Sequence, residues 1–276
     1  SLQIAKLEEG AQHGGEQKSL EAFSTGATLS PASTDDFNHW YVCQSWDNQG
    51  FVTNYSIPPF VTGEDVKPGN YKGADGKDYY AFIRSDYIVY TITETGTADV
   101  YLAVEDDKPP VSITVKNGEG SETVTGSMRV AITTQAVGAD GHSATGPETV
   151  RVVYALNNET GKGNDSTAKD GWTSIQNVNG TPQLEHVTYP YVYAGNYTDQ
   201  KAPNTKNWAA TKEGDNFTVP ENSEAIAENV GYDGIVVHVY IWMEGTDSDC
   251  VNGKSIENDP STYDVTVKLA GVATGN

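Results

Sequence analysis

Apolar and polar positions alternate with a period of two through much of the chain, which predicts strands. The clearest case is "TYDVTVKLA" (262–270). Tyr263, Val265, Val267 and Leu269 fall on one face, and Thr262, Asp264, Thr266 and Lys268 on the other, as in a half-buried strand. "VSITV" (111–115), "SMRVAI" (127–132) and "ETVRVVYAL" (148–156) read as further strands. "YYAFIRSDYIVYTIT" (79–93) and "ADVYLAV" (98–104) read as neighbouring strands joined by the turn "ETGT". Gly/Asn/Asp-rich segments such as "KNGEG", "GADG" and "NNETGKGNDS" punctuate the pattern.

One stretch departs from alternation. From Ile235 to Met243 the chain is apolar except for His238, and it then enters "EGTDSDC". A run of that length predicts a central strand buried on both faces. The strand at 262–270, next in the chain, is expected as its hairpin partner.

Helix signals are weak. "NTKNWAATK" (204–212) and "ENSEAIAEN" (221–229) each predict a short helix, with Pro203 and Pro220 just ahead of them, where proline suits a helix start. The region 157–230 is polar, aromatic-dotted and turn-rich, and reads as a long insertion without strong strands. The predicted fold is all-β: an antiparallel β-sandwich with jelly-roll or Ig-like connections, spanning residues 21–276 as one domain. Residues 1–20 form a separate N-terminal segment.

Charge narrows the partners. The 276 residues include 38 acidic against 17 basic side chains, a formal net charge of −21. Such a surface repels nucleic acid and anionic lipid. No run approaches the ~18 apolar residues of a membrane-spanning helix. The start at Ser1, without an initiator methionine, reads as a processed N-terminus of an exported chain, the alternative being the remnant of a cleaved tag. Sequons at Asn54, Asn158, Asn164, Asn179, Asn196 and Asn216 are compatible with export.

Only two cysteines occur, Cys43 and Cys250, and neither lies in a metal-binding pattern. In an exported protein they pair naturally as a disulfide. Two buried thiols are the alternative. No HExxH, GxSxG, P-loop or dinucleotide fingerprint is present, so no enzymatic activity and no cofactor are expected. His238, inside an apolar strand, reads as a satisfied core histidine. The acidic pairs Asp35/Asp36, Asp106/Asp107 and Asp247/Asp249 read as solvated surface, not as a glycosidase dyad. Oxygen-rich loops at 246–253 and 47–50 suit structural calcium, although neither has EF-hand spacing. Trp46, Trp172, Trp208 and Tyr191 lie in or near loops and are candidate glycan-stacking residues; the competing reading has them packing the insertion onto the sandwich.

The N-terminal "SLQIAKLEEGAQHGGEQKS" is apolar at its start, then polar and glycine-containing. It can dock on its own sheet edge or add in trans to the sheet edge of another copy. Leu2 and Ile4 would then fill pockets. Leu7 breaks the alternation, which requires a bulge or an early strand end. A short helix with Ile4 and Leu7 on one face competes.

"VHVYIWMEGTDSDC" resembles a C-terminal strand-and-turn signature of exported Gram-positive, clostridial-type surface proteins, and "SMRVAI" resembles a mid-domain strand of the same proteins. In plan they are similar to the TasA/camelysin group. The resemblance implies a jelly-roll subunit that polymerises extracellularly by donor-strand exchange. The expected function is therefore a secreted or cell-surface filament subunit that partners copies of itself through Leu2, Ile4 and Leu7. A secreted carbohydrate-binding or adhesin module is the alternative, and an acidic-pair hydrolase ranks last.

Overall fold

The computed structural model describes residues 2–14, 20–25, 29–47, 52–116, 127–155, 173–186, 192–194, 208–247, 250 and 262–274. Its first ten strands are β1 (Leu2–Lys6), β2 (Glu21–Thr25), β3 (Pro31–Ser33), β4 (Tyr41–Trp46), β5 (Val52–Ser56), β6 (Asn70–Lys72), β7 (Asp78–Tyr80), β8 (Ile83–Thr91), β9 (Thr97–Val104) and β10 (Val111–Lys116). Then come β11 (Met128–Val137), β12 (Ala144–Ala155), β13 (Thr173–Val178), β14 (Thr181–His186), β15 (Val192–Ala194), β16 (Ala209–Glu213), β17 (Asn216–Thr218), β18 (Ala227–Val230), β19 (Ile235–Glu244) and β20 (Thr262–Thr274). Leu7–Glu9 forms a 3-10 turn, and no α-helix is found among the described residues.

The strands form two large sheets packed face to face. In the first, β19 lies between β11 and β8, antiparallel to both, and near its C-terminal end it pairs in parallel with β3. Outward from this centre the sheet runs through β12 to β15 on one side, through β8 to β1 on another, and through β3 to β4 and β5. In the second sheet β20 is the axis. It pairs with β2, with β10 along residues 262–267, and with β9 along residues 269–274. β16 and β18 then pair with β9, and β17 with β16.

The inner faces make the main core. Val130, Ile132, Val237, Val239, Ile241 and Val89 of the first sheet pack in one cluster with Val100, Leu102, Val104, Val265, Val267 and Leu269 of the second. The alternation expected for 262–270 is borne out: Tyr263, Val265, Val267 and Leu269 are buried, and Asp264, Thr266 and Lys268 are less so.

The two-sided burial expected of β19 also holds, for a visible reason. Its odd residues face the second sheet. Its even residues are roofed at one end by Leu7 and Tyr90, which pack with Val236, and at the other by Phe37, Trp40 and Phe82, which pack on Tyr240 and Trp242. Trp40 stacks on Phe82 with centroids 4.2 Å apart and meets Trp242 edge-on at 5.4 Å. Aromatic pairs of this geometry stabilise beyond the area they bury.

Four expectations are corrected. β19 and β20 are not a hairpin, because they lie in different sheets. β8 and β9 likewise separate into different sheets instead of pairing across "ETGT". Period-two alternation reports which face of a strand is buried, not which strand lies beside it. The pairing is not wholly antiparallel, since β12–β15, β9–β16 and β19–β3 are parallel. The two predicted helices are replaced, where described, by β16 and β18, whose Ala209, Ala227 and Val230 go into the core. Burial between the sheets outweighs a weak local helix propensity.

The 157–230 region carries strands after all. The β13–β14 hairpin stands apart as its own two-stranded sheet. It is seated by Ile175, buried against Tyr41, Cys43 and Val52. The Ile175 N–H donates to Ser33 Oγ at 2.9 Å, and Asn177 Nδ2 donates to the Tyr41 hydroxyl at 2.9 Å. No described helix is long and apolar enough to cross a membrane.

Candidate functional site

The N-terminal strand has a well-defined seat. β1 pairs antiparallel with β8, with Leu2 opposite Thr91, Ile4 opposite Val89 and Lys6 opposite Tyr87. β8 is its only strand partner among the described residues, so β1 is an edge strand. Leu2 and Ile4 point into the inter-sheet core and are 4% and 8% exposed. Burying each is worth roughly 1.5–3 kcal/mol. The expected early strand end occurs: the strand stops at Lys6, and the following 3-10 turn swings Leu7 onto the opposite face of the sheet, against Ile88, Tyr90 and Val236. The competing helix through Ile4 is not formed.

Side chains clasp this segment from outside. The Tyr90 hydroxyl donates to Gln3 Oε1 at 3.2 Å and accepts the Gln12 backbone N–H at 2.8 Å, so one ring holds both the strand and the chain after it. His142, in the turn between β11 and β12, donates its Nδ1–H to the Glu8 carbonyl at 3.0 Å. His13 stacks on Tyr232 with centroids 3.5 Å apart and meets Tyr90 edge-on at 5.0 Å. A cavity of about 240 Å³ opens here, lined by Glu9, His13, His142, Tyr232 and Asp233 among others. Gly10, at φ 71°, turns the chain under His142, and a Cβ there would come within 2.9 Å of the imidazole.

The acidic end of the central strand is folded inward. Glu244, Thr246 and Asp247 are buried, which corrects the reading of Asp247 as solvated surface; Asp249 lies outside the described residues. Asp247 pairs with Arg129 of β11, which is itself buried. A lone arginine inside "SMRVAI" was the signal for this pair, since a buried guanidinium requires a counter-charge. Glu244 accepts from Trp242 Nε1 at 3.3 Å and from the Thr246 hydroxyl and N–H at 3.0 and 3.2 Å. Burial pushes its carboxyl up to about 7, against the pull of Arg129 and of the hydrogen bonds from Ser33, Thr246 and Trp242.

Cys43 and Cys250 are both buried beside this cluster, and no disulfide joins them in the structure. Burial, the Glu244 charge and the neighbouring Cys250 push the Cys43 thiol well up. Gly245 leaves room for Cys43, because a Cβ on Gly245 would lie 2.4 Å from Cys43 Sγ.

A second polar row crosses the outer face of the first sheet. Both ring nitrogens of His238 are partnered, Nδ1 with Asp86 Oδ1 at 2.6 Å and Nε2 with Gln135 Oε1 at 2.9 Å, so the expected satisfied histidine is what the structure holds. Burial alone would raise the Asp86 carboxyl, but the hydrogen bond from His238 and the Arg84 guanidinium hold it below the usual range. Glu148 accepts from the Tyr240 hydroxyl at 2.7 Å and from Thr133.

Of the four candidate stacking residues, Trp46 and Trp208 are among the described residues. Trp208 is buried in the core at 5% exposure, and Trp46 packs against the core while donating its Nε1–H to the Gly245 carbonyl at 3.1 Å. Trp208 serves packing, which corrects its glycan assignment, whereas Trp46 is half-buried. Trp172 and Tyr191 lie outside the described residues, as does most of both loops considered for calcium. Among the described residues no group of three or more His, Cys, Asp or Glu is arranged to hold a metal ion. Comparison with protein-family models, with curated proteins and with solved structures finds no match to this chain.

Proposed function

We propose that this protein is a non-enzymatic structural subunit of an extracellular or cell-surface filament, assembled by exchange of β1 between copies. One observation carries the reading. Among the described residues β1 is an edge strand held by a single strand partner, yet it delivers Leu2 and Ile4 into the main core. The β1 of a second copy can take the same place beside β8 with every contact preserved, which is the low-cost route of strand exchange. Because the surface that donates differs from the surface that accepts, such contacts propagate head to tail. The contacts of Leu7, Glu8, Gln12 and His13 travel with β1, so the tether between copies is residues 14–20, at most roughly 23–25 Å when fully extended. The resemblance to the TasA/camelysin group points the same way, towards a secreted fibre subunit.

The test is negative-stain electron microscopy of the concentrated protein beside a version lacking residues 1–12. Fibres from the first and none from the second support the reading. A full-length protein that remains monomeric at every concentration, temperature and pH tried overturns it.

A further inference from the structure

The inward-facing row of β20 is Tyr263, Val265, Val267 and Leu269, all buried. The next inward position is Gly271, which offers no side chain. Gly271 is absent from the glycines with positive φ, so its backbone does not call for glycine. Space does. A Cβ at this position would lie 2.6 Å from Leu2 Cδ1, 2.9 Å from Cγ and 3.3 Å from Cβ. The whole Leu2 side chain, not only its tip, occupies the volume that a residue at 271 would claim.

We propose that Gly271 is a notch that recognises Leu2 and sets the register in which β1 docks, so that the slot beside β8 selects the N-terminal strand of a second copy of this chain. The seat in the monomer stands on geometry alone; the second copy as occupant rests on the assembly reading above. Register follows from the residues of β1. A slip of one residue turns Gln3 into the notch and Leu2 and Ile4 out of the core. A slip of two in one direction carries Lys6 to the inward place that Ile4 holds opposite Val89, where its ammonium has no counter-charge and no water. A slip of two the other way moves Leu2 opposite Val89 and vacates the notch. Only the observed register fills the notch with an apolar group and keeps Lys6 at the strand end. A donor must therefore present a long aliphatic side chain at the notch position and a second apolar residue two positions on.

The full-length protein and its Gly271→Ala, Leu2→Ala and Leu2→Ala/Gly271→Ala variants test this. Two readings are taken: amide exchange at residues 3–6, with β19 as the control for the fold, and fibre yield. In Gly271→Ala, exchange over β1 rises by roughly tenfold or more while β19 stays protected, and in the double variant, where the added methyl meets a shortened side chain, protection recovers in part. Recovery in the double variant is the signature of the notch, because a general strain at 271 would persist there. Unchanged β1 protection in Gly271→Ala overturns the inference, as does a double variant no better protected than the single one. Should Gly271→Ala not fold, a double variant that also fails to fold overturns it. Fibre yield separates the two claims. Fibres that form equally well in Gly271→Ala sink the notch and leave filament assembly standing. A wild type without fibres whose β1 nevertheless follows the expected exchange pattern sinks assembly and leaves the notch standing.

Discussion

The two ends of β19 are held by opposite means. Near its N-terminal end, Ile235 pairs with Val89 of β8, and Val89 in turn faces Ile4 across the β1 pairing. There the added strand is fixed by aliphatic side chains, a ladder of main-chain hydrogen bonds and a few neutral side-chain contacts. At the C-terminal end, Arg129, Asp247 and Glu244 are buried with Ser33 and Thr246 around them. Apolar burial is non-directional, so an identical strand from another molecule satisfies it equally well. A buried charge has one geometry in which its desolvation is offset, and it tolerates no exchange. In the proposed assembly the first end is the one passed between copies, and the second stays closed in each of them.

The sharpest break of this comparison is Arg129→Met. It leaves Asp247 and Glu244 buried without their cation, and should cost about 3–5 kcal/mol in chemical denaturation. A loss smaller than that of any β1 substitution would mean that the C-terminal cluster is not the permanent anchor.

The next effect is a pH dependence. Glu244 rises from an ordinary 4.5 to about 7 in the folded state. Between those values the folded protein binds a proton that the unfolded chain has lost. Stability from this group is therefore highest below about pH 4.5 and falls as pH rises to about 7, by up to roughly 3 kcal/mol. Glu244→Gln should flatten that slope and stabilise the protein at neutral pH, as read by thermal melts across the range. A melt series as steep for the variant as for the wild type would assign the slope elsewhere.

Ile4→Ala sharpens the other side of the comparison. It should cost about 2 kcal/mol, at the low end for a core truncation because an edge strand can relax. The cost should appear as faster amide exchange over residues 2–6, with β19 unaffected. Global destabilisation would show that β1 is an integral part of the fold and not an exchangeable one.

The smallest effect is Asp86→Asn, at about 1–2 kcal/mol, from lost charge-assisted bonds to His238 and Arg84. Because the Asp86 carboxyl is held low, its contribution is present above the unfolded value near 3.8 and fades as pH falls through the folded one. Its slope is thus opposite in sign to that of Glu244, and the two variants together separate the acid and neutral limbs of the stability profile.

Much of this molecule was legible before its structure. The strands read from alternation at 111–115, 127–132, 148–156 and 262–270 are found, each somewhat longer, as β10, β11, β12 and β20, and the two-sided burial of β19 was written in a continuous apolar run. The spacing of Leu2, Ile4 and Leu7 left a strand with a bulge or early end against a short helix, and the structure selects the strand, ended ahead of Leu7. What misled was proximity along the chain. "ETGT" suggested a hairpin and proved to be a crossing between sheets, and residues 204–212 and 221–229 suggested helices where strands complete the second sheet. Local propensity differs by only a few tenths of a kcal/mol per residue, whereas core burial is worth that many whole units across a strand.

Sequence by itself determined the class of structure and the buried face of each regular strand. These are set by the side-chain period and by the cost of burying polar groups, which are properties of short segments. Tertiary structure alone decided which strands are neighbours, that the acidic turn after β19 folds inward, and that Gly271 lies against Leu2. Those pairs are far apart along the chain, and nothing in either segment names the other. They meet only when the apolar faces of the two sheets close on each other, and that closure is decided by the whole chain.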